Sequence, residues 1–207
     1  MSVTVVTYDR AMGRWEPNAR GRLAQAALAL YAAQGFEQTT AAEIARAAGL
    51  TERSFFRHFA DKREVLFYGM DSVRDLLVAA VADAPSAAGA MQAVQAALQT
   101  VAAMVEETPE IARERYAVVS ASAELREREL VKLAEIAVAM DGALRGRGIR
   151  EPAASLAAET GIAVYRVAFA RWIREAGQPD LPEALRQTMA ELKDVMAGRA
   201  ASPVPLS

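Results

Sequence analysis

Apolar residues recur every three or four positions through most of this 207-residue chain, as they do in amphipathic helices. Long stretches contain neither proline nor glycine, and the strict alternation that predicts strands is scarce. Helix breaks are predicted at Gly35, Pro85, Pro109 and Pro152. The pattern therefore predicts an all-α fold.

Residues 40–59, TAAEIARAAGLTERSFFRHF, predict two short helices joined by a tight turn. Thr40 and Glu43 have the spacing of a capping box at the start of the first helix. Gly49 follows Ala48, at the point where a helix end favours a left-handed residue. Thr51 is a good N-cap for the second helix. The segment is typical of a helix-turn-helix, whose second helix enters a DNA major groove.

The second helix of this motif has an apolar and a polar side. Phe55 and Phe59 are four residues apart and are expected to face the core together. The arginines on the other side can donate two hydrogen bonds each to guanine O6 and N7. A solvated helix face is the alternative for those arginines. The predicted groove-facing residues are Glu52, Arg53, Ser54 and Arg57.

Charge is distributed unevenly along the chain, whose formal net charge is -2. Residues 1–63 contain nine Lys or Arg against six Asp or Glu, and residues 64–207 contain 15 against 20. A basic amino-terminal part on an acidic body favours an approach to phosphates through that part. The charge pattern is consistent with DNA binding and does not establish it.

Composition excludes several classes of chemistry. The chain has no cysteine, so disulfides and cysteine-based metal or nucleophile sites are excluded. No metal cluster, cofactor motif or nucleophile–base pair is recognisable, which predicts a protein that is not an enzyme. No secretion signal and no apolar run of about 18 residues is found, so we expect a cytoplasmic protein without a membrane partner.

The pattern GF-x-x-T-T-x-x-x-I-A-x-x-A-G-L-T-x-x-x-F-F-R-H-F-x-x-K-x-x-V-L over residues 35–66 resembles the DNA-binding domain of the TetR/AcrR (tetracycline-repressor-like) family. The resemblance extends over about residues 23–66. It implies a homodimeric repressor that binds a partly palindromic operator. A small-molecule effector is expected to release the repressor from this DNA. The predicted domains are a flexible arm (1–16), the helix-turn-helix domain (17–63), a larger helical effector and dimerisation domain (64–197) and a disordered tail (198–207).

Further DNA contacts are predicted around the motif. Thr40, Thr51 and Lys62 are candidates for phosphate contact, with capping or ordinary surface charge as their alternatives. Phe56 departs from the family pattern, which usually has tyrosine there with its hydroxyl on a phosphate; apolar contact with a sugar or thymine methyl remains open. The resemblance implies that His58, the only histidine, packs and touches phosphate.

The carboxy-terminal part is expected to dimerise and to bind the effector. Two apolar stripes are implied as a four-helix interface, with internal core as the alternative. They are Leu156, Ala163, Val167 and Ala170 on one helix, and Leu181, Leu185, Met189, Leu192 and Met196 on the last. Met and aromatic side chains suit an adaptable apolar pocket, with plain core again the alternative. The pocket candidates are Met104, Tyr116, Met140, Tyr165, Phe169 and Trp172.

Other functions remain open at this point. The same family contains activators. A helical dimeric interaction protein without DNA binding explains the apolar stripes but leaves the capped, basic helix pair without a purpose. A helical enzyme is the weakest alternative, because carboxylate-rich groups such as Glu106-Glu107 are usually solvated helix faces.

Overall fold

The structure, a computed structural model, describes residues 19–175 and 179–199, and within these ranges every regular element is helical. The predicted arm, residues 1–16, and the predicted tail from residue 200 lie outside the described residues. The helices are α1 (Ala19–Gln34), α2 (Ala41–Ala47), α3 (Glu52–His58), a 3-10 helix (Glu64–Phe67), α4 (Met70–Ala82), α5 (Ala90–Glu106), α6 (Pro109–Ala121), α7 (Ala123–Gly146), α8 (Ala153–Arg174) and α9 (Leu181–Met196). The all-α prediction is confirmed.

The chain forms two compact units. The amino-terminal unit consists of two segments of the chain. The first runs up to Gly69, and the second is Glu114–Glu129, the end of α6 and the start of α7. The carboxy-terminal unit contains Met70–Arg113 and the residues from Leu130 onward. The predicted boundary after residue 63 therefore falls inside the first block of the amino-terminal unit. No sequence signal assigned the segment Glu114–Glu129 to this unit.

The helix-turn-helix forms as the capping pattern predicts. Thr40 accepts from the backbone N–H of Glu43, whose carboxylate accepts from the Thr40 backbone in turn. Thr51 caps α3 by accepting from the N–H of Ser54 at 3.2 Å. Gly49 has φ +69°, a conformation that other residues adopt only with strain. Local sequence thus determines where α2 ends and α3 begins.

The capping-box spacing of Asp61 and Glu64 predicts a helix that runs from Asp61 to Ala84, and the structure interrupts this helix. Asp61 Oδ1 accepts from the N–H groups of Arg63 and Glu64, at 2.8 and 3.1 Å, but the turn it caps is only the short 3-10 helix. The consecutive residues Val65, Leu66 and Phe67 are all buried there. In an amphipathic α-helix only one face is buried, so three consecutive residues cannot all point to the core. Gly69, at φ +94°, then redirects the chain into α4.

The core of the carboxy-terminal unit lies among α4, α5, α7, α8 and α9. Gly161 of α8 lies against α5, where an added Cβ atom would be 2.4 Å from Cγ1 of Val94. Glycine is therefore required there for the two helices to pack this closely. In the described part of the chain, no helix combines the length and apolarity needed to cross a membrane.

Candidate nucleic-acid interface

Two buried phenylalanines fix the orientation of α3. Phe55 is fully buried and Phe59 nearly so, and their ring centroids are 5.7 Å apart. Phe59 also packs edge-on against Tyr68, with centroids 6.1 Å apart. The prediction that these two phenylalanines face the core is confirmed. The opposite side of α3 is consequently turned away from the core of its own unit.

The predicted groove residues lie on that outer side. Glu52, Arg53 and Arg57 are exposed, and Ser54 is partly exposed next to the cap. Neither arginine pairs with a carboxylate anywhere in residues 19–175 and 179–199. Because Arg53 and Arg57 are four residues apart, they lie on one face of α3 and present two guanidinium groups to the surroundings. The fifth side chain of the surface, Phe56, is 52% exposed, which is unusual for a phenylalanine.

Both cap threonines are exposed at helix starts, where a phosphate oxygen is favoured. The side-chain hydroxyl of Thr40 donates to Glu43 at 2.8 Å, and the Thr51 and Ser54 hydroxyl oxygens are 3.0 Å apart. Hydrogen bonds from the Thr40 backbone and side chain hold the pKa of Glu43 below its usual range. Capping by both threonines is confirmed, and their contact with phosphate stays a prediction.

Lys62 has a structural role that its sequence position did not reveal. Its Nζ donates to the carbonyls of Phe36, Thr39 and Glu37, at 2.8, 3.0 and 3.4 Å. It also lies 4.2 Å from the centroid of the Phe36 ring. An ammonium group has three hydrogens, so three carbonyls occupy its donors. Phosphate contact by Lys62 stays a prediction, and it requires a phosphate to displace one of these carbonyls.

His58 lies at the end of α3 with its Nε2 buried and, within the described residues, without a hydrogen-bond partner. Burial lowers the pKa of His58, and the positive charges of Arg57 and Arg20 lower it further. Arg20, on α1, therefore belongs to the same basic region, although the sequence pattern did not single it out. No signal in the sequence pattern separates Arg20 from an ordinary surface arginine.

Ion pairs fix the segment that follows α3. Arg63 lies 3.2 Å from Glu124, and Arg128 pairs with Glu64. Arg115 donates to the carbonyl of Leu66 at 3.1 Å and to a carboxylate oxygen of Glu129 at 3.0 Å. All of these residues belong to the amino-terminal unit. The segment Glu114–Glu129 therefore holds the 3-10 helix in place, a role that reading single helices could not reveal.

Five of the six pocket candidates are in or against the core of the carboxy-terminal unit. Tyr165 stacks on Phe169 with centroids 5.7 Å apart, and Phe169 lies 5.5 Å from Trp172. Met140 and Trp172 are fully buried, whereas Met104 is partly buried against the same core. Tyr116 belongs to the other unit. Contact of these residues with an effector stays a prediction.

The predicted dimer stripes divide into buried and exposed parts. Leu181, Leu185 and Met189 are fully buried in the core of their own unit, so their assignment to a partner-facing surface is wrong. Their apolar stripe faces α5 and α8 of the same chain, which was the alternative reading. The other members retain exposed surface and stay predicted interface residues: Leu156, Ala163, Val167, Ala170, Leu192 and Met196.

Two family models match successive parts of the chain. Residues 23–68 match the family model of bacterial regulatory proteins of the tetR family, and residues 88–197 match the MftR C-terminal domain. The transcriptional regulator TcmR of Streptomyces glaucescens is 36% identical over 88 residues. That match covers 42% of this chain and 39% of TcmR, so it spans less than half of the relative.

Solved structures share the fold. SmeT of Stenotrophomonas maltophilia, in complex with triclosan, has a TM-score of 0.61 at 23% identity, over 91% of this chain and 99% of SmeT. FadR of Bacillus subtilis, in complex with stearoyl-CoA, has a TM-score of 0.60 at 16% identity, over 83% and 96%. At these identities the likeness shows the fold alone. The match over residues 88–197 covers more than half of the chain, and a second match covers the helix-turn-helix. The chain therefore belongs to the tetR family of bacterial regulatory proteins, and it is a transcription regulator rather than an enzyme.

Proposed function

We propose that this regulator is a homodimeric repressor that binds a partly palindromic operator through α3 and releases it when a small molecule binds the carboxy-terminal unit. The observation that carries the proposal is the pair of exposed arginines, Arg53 and Arg57, on a helix anchored by Phe55 and Phe59. Guanidinium groups without a carboxylate partner are available for guanine O6 and N7.

The side chains next to Arg53 and Arg57 add further base and phosphate contacts to this surface. Glu52 can accept from a cytosine amino group, and exposed Phe56 can contact a thymine methyl group. Thr40 and Thr51 begin helices whose N-termini attract phosphate, so they fix the register of α3 on the duplex. Arg20 and His58 add basic character beside the end of α3.

The effector part of the proposal is supported by the carboxy-terminal unit and by its structural neighbours. SmeT was solved with triclosan, and FadR with stearoyl-CoA, whose acyl chain is apolar and whose coenzyme A part is charged. The aromatic row Tyr165, Phe169 and Trp172 offers a comparable apolar surface. A ligand releases DNA only if its affinity differs between the DNA-binding and released states.

The dimer part is supported by exposed apolar side chains on α8 and at the end of α9. Leu156 is 63% exposed, Val167 56% and Met196 78%. Large apolar side chains gathered on one helix face favour burial against another chain. A twofold pair presents two copies of α3, and the spacing of half-sites in the operator then follows from the protein.

The direct test measures binding of the full chain to DNA from its own upstream region by fluorescence anisotropy at several salt concentrations. Arg53→Ala with Arg57→Ala should weaken binding at least about 30-fold, since each bidentate pair contributes about 1–3 kcal/mol. The matched control is Arg150→Ala with Arg174→Ala, which removes the same charge from exposed sites of the other unit. If the α3 variant binds as the parent does, α3 is not the reading surface.

The sign of regulation is tested separately by transcription from the same upstream DNA in a purified system. Adding the regulator should lower transcript yield, and the α3 double variant should have no effect. An increase in transcription that depends on Arg53 and Arg57 would make the protein an activator with the same DNA contacts.

A further inference from the structure

Arg113, on α6, packs against an aromatic row inside the carboxy-terminal unit. Its guanidinium carbon lies 4.6 Å from the centroid of the Trp172 ring, and Trp172 is fully buried. Phe169 and Tyr165 extend the row from Trp172 along α8. A cation over an indole face is attracted by the ring quadrupole, so the contact between Arg113 and Trp172 is favourable.

The hydrogen-bonding capacity of Arg113 is nevertheless not met by the described part of the chain. Its Nε is buried and has no acceptor there. Glu110, one turn before it on α6, and Glu114, the next residue in the chain, are exposed and make no ion pair with it. By contrast, Arg115 has Glu129 and the Leu66 carbonyl as acceptors. Arg22, Arg115 and Arg147 each also have one buried nitrogen without an acceptor within the described residues, and Arg113 is the one of these four whose guanidinium lies over Trp172.

A buried donor without an acceptor is unfavourable, and such groups in folded proteins call for a specific explanation. An acceptor supplied by a ligand is one such explanation. One guanidinium group matches a carboxylate in charge and in its two-pronged geometry. The aromatic row beside it matches an apolar body attached to that carboxylate.

We propose that Arg113 and Trp172 form an anion-binding site for the carboxylate of an organic acid, whose apolar part contacts Phe169. The binding site stands by itself, whereas its role as the effector site rests on the proposed function. α6 also carries Arg115, which holds the Leu66 carbonyl next to the helix-turn-helix. An acid bound at Arg113 is therefore attached to the same helix that fixes the 3-10 helix.

Binding is measured by fluorescence of the full chain in a Trp15→Phe background, which leaves Trp172 as the only tryptophan. The probes are octanoate and 3-phenylpropanoate, each compared with its neutral amide. At least one acid should quench Trp172 and bind about ten- to a hundred-fold more tightly than its amide, a preference that Arg113→Gln abolishes. Arg150→Gln, an exposed arginine of the same unit, is the matched control and should retain the preference.

Thermal unfolding separates this role from a structural one. An acid that binds the native state should raise the unfolding temperature of the parent and not that of Arg113→Gln. Arg113→Met, which removes the unpaired donor, should unfold at the parent temperature or higher. The proposal is overturned if acid and amide bind equally, if neither acid affects Trp172 up to its solubility limit, or if Arg113→Gln keeps the acid preference.

Operator binding is followed in a separate assay, so that the two proposals fail differently. Acid binding through Arg113 that also weakens operator binding supports both. Acid binding that leaves operator affinity unchanged supports the site and overturns its role as the effector site. Loss of operator binding in the α3 double variant is independent of either result.

Discussion

Single side chains show where sequence patterns reach their limit in this molecule. From the sequence, Lys62 is expected to be an ordinary surface charge. In the structure its ammonium group donates to three carbonyls of the turn between α1 and α2. The Tyr31 hydroxyl donates back to the Lys62 carbonyl at 2.6 Å, and burial raises the pKa of Tyr31. Lys62 therefore helps to hold the helix-turn-helix on α1.

We expect Lys62→Met to lower the free energy of unfolding by about 1–3 kcal/mol, because buried carbonyls lose a charged donor. Urea denaturation monitored by circular dichroism measures this loss. Lys193→Met, at an exposed site in the last turn of α9, should change stability by no more than about 0.5 kcal/mol. Equal effects of the two substitutions would contradict the bridging role.

His58 gives a prediction for pH. Its pKa is lowered in the folded chain, so between that pKa and about 6.5 the unfolded chain binds more protons. Stability should therefore fall as the pH drops through 6.5 and level off below the folded pKa. His58→Gln should flatten this part of the curve, measured as urea midpoints between about pH 7 and pH 5. A parallel curve for His58→Gln would assign the pH dependence to other groups.

The ends of the helices and the packing between them depend on a few residues. The sequence predicts the caps at Thr40, Thr51 and Gly49 because each acts on its own neighbours along the chain. It does not predict the break at Gly69 or the buried 3-10 turn before it, since these follow from packing of residues distant in sequence. Gly161 is the corresponding contact point of the carboxy-terminal unit.

Gly161→Ala should destabilise the protein although alanine is the better helix former by about 1 kcal/mol. The added methyl group would lie 2.4 Å from Val94 Cγ1, and overpacking of this kind costs about 1–3 kcal/mol. Adding Val94→Ala should recover part of that loss, which a double-mutant cycle of unfolding free energies measures. Strict additivity of the two substitutions would show that Gly161 and Val94 do not limit the approach of α5 and α8.

The assembled molecule requires a second chain in the function proposed here. Most of the apolar stripe on α9 is buried in the core of its own chain. The stripe on α8, in contrast, leaves Leu156 and Val167 exposed. Periodicity identifies both stripes equally, because a core and an interface have the same helical spacing. Only burial in the folded chain separates them.

Val167→Asp should convert a dimer into a monomer and weaken operator binding, because a charge at the centre of an apolar interface is desolvated without a partner. Sedimentation velocity measures the change, and the helical circular dichroism signal should be retained since Val167 is exposed in the single chain. Val138→Asp, at a 70% exposed position on α7, is the control and should remain dimeric. The reverse result would move the interface to α7.

The amino-acid sequence by itself determined the helical class, the capped helix pair and the identity of the outward arginines, since these depend on interactions within a few residues of each other. Tertiary structure decided which apolar stripes became core, how Lys62 is used and why Glu114–Glu129 joins the amino-terminal unit. It also placed Arg113 over Trp172, residues 59 positions apart in the chain. Such outcomes depend on contacts between distant segments, which local periodicity does not encode.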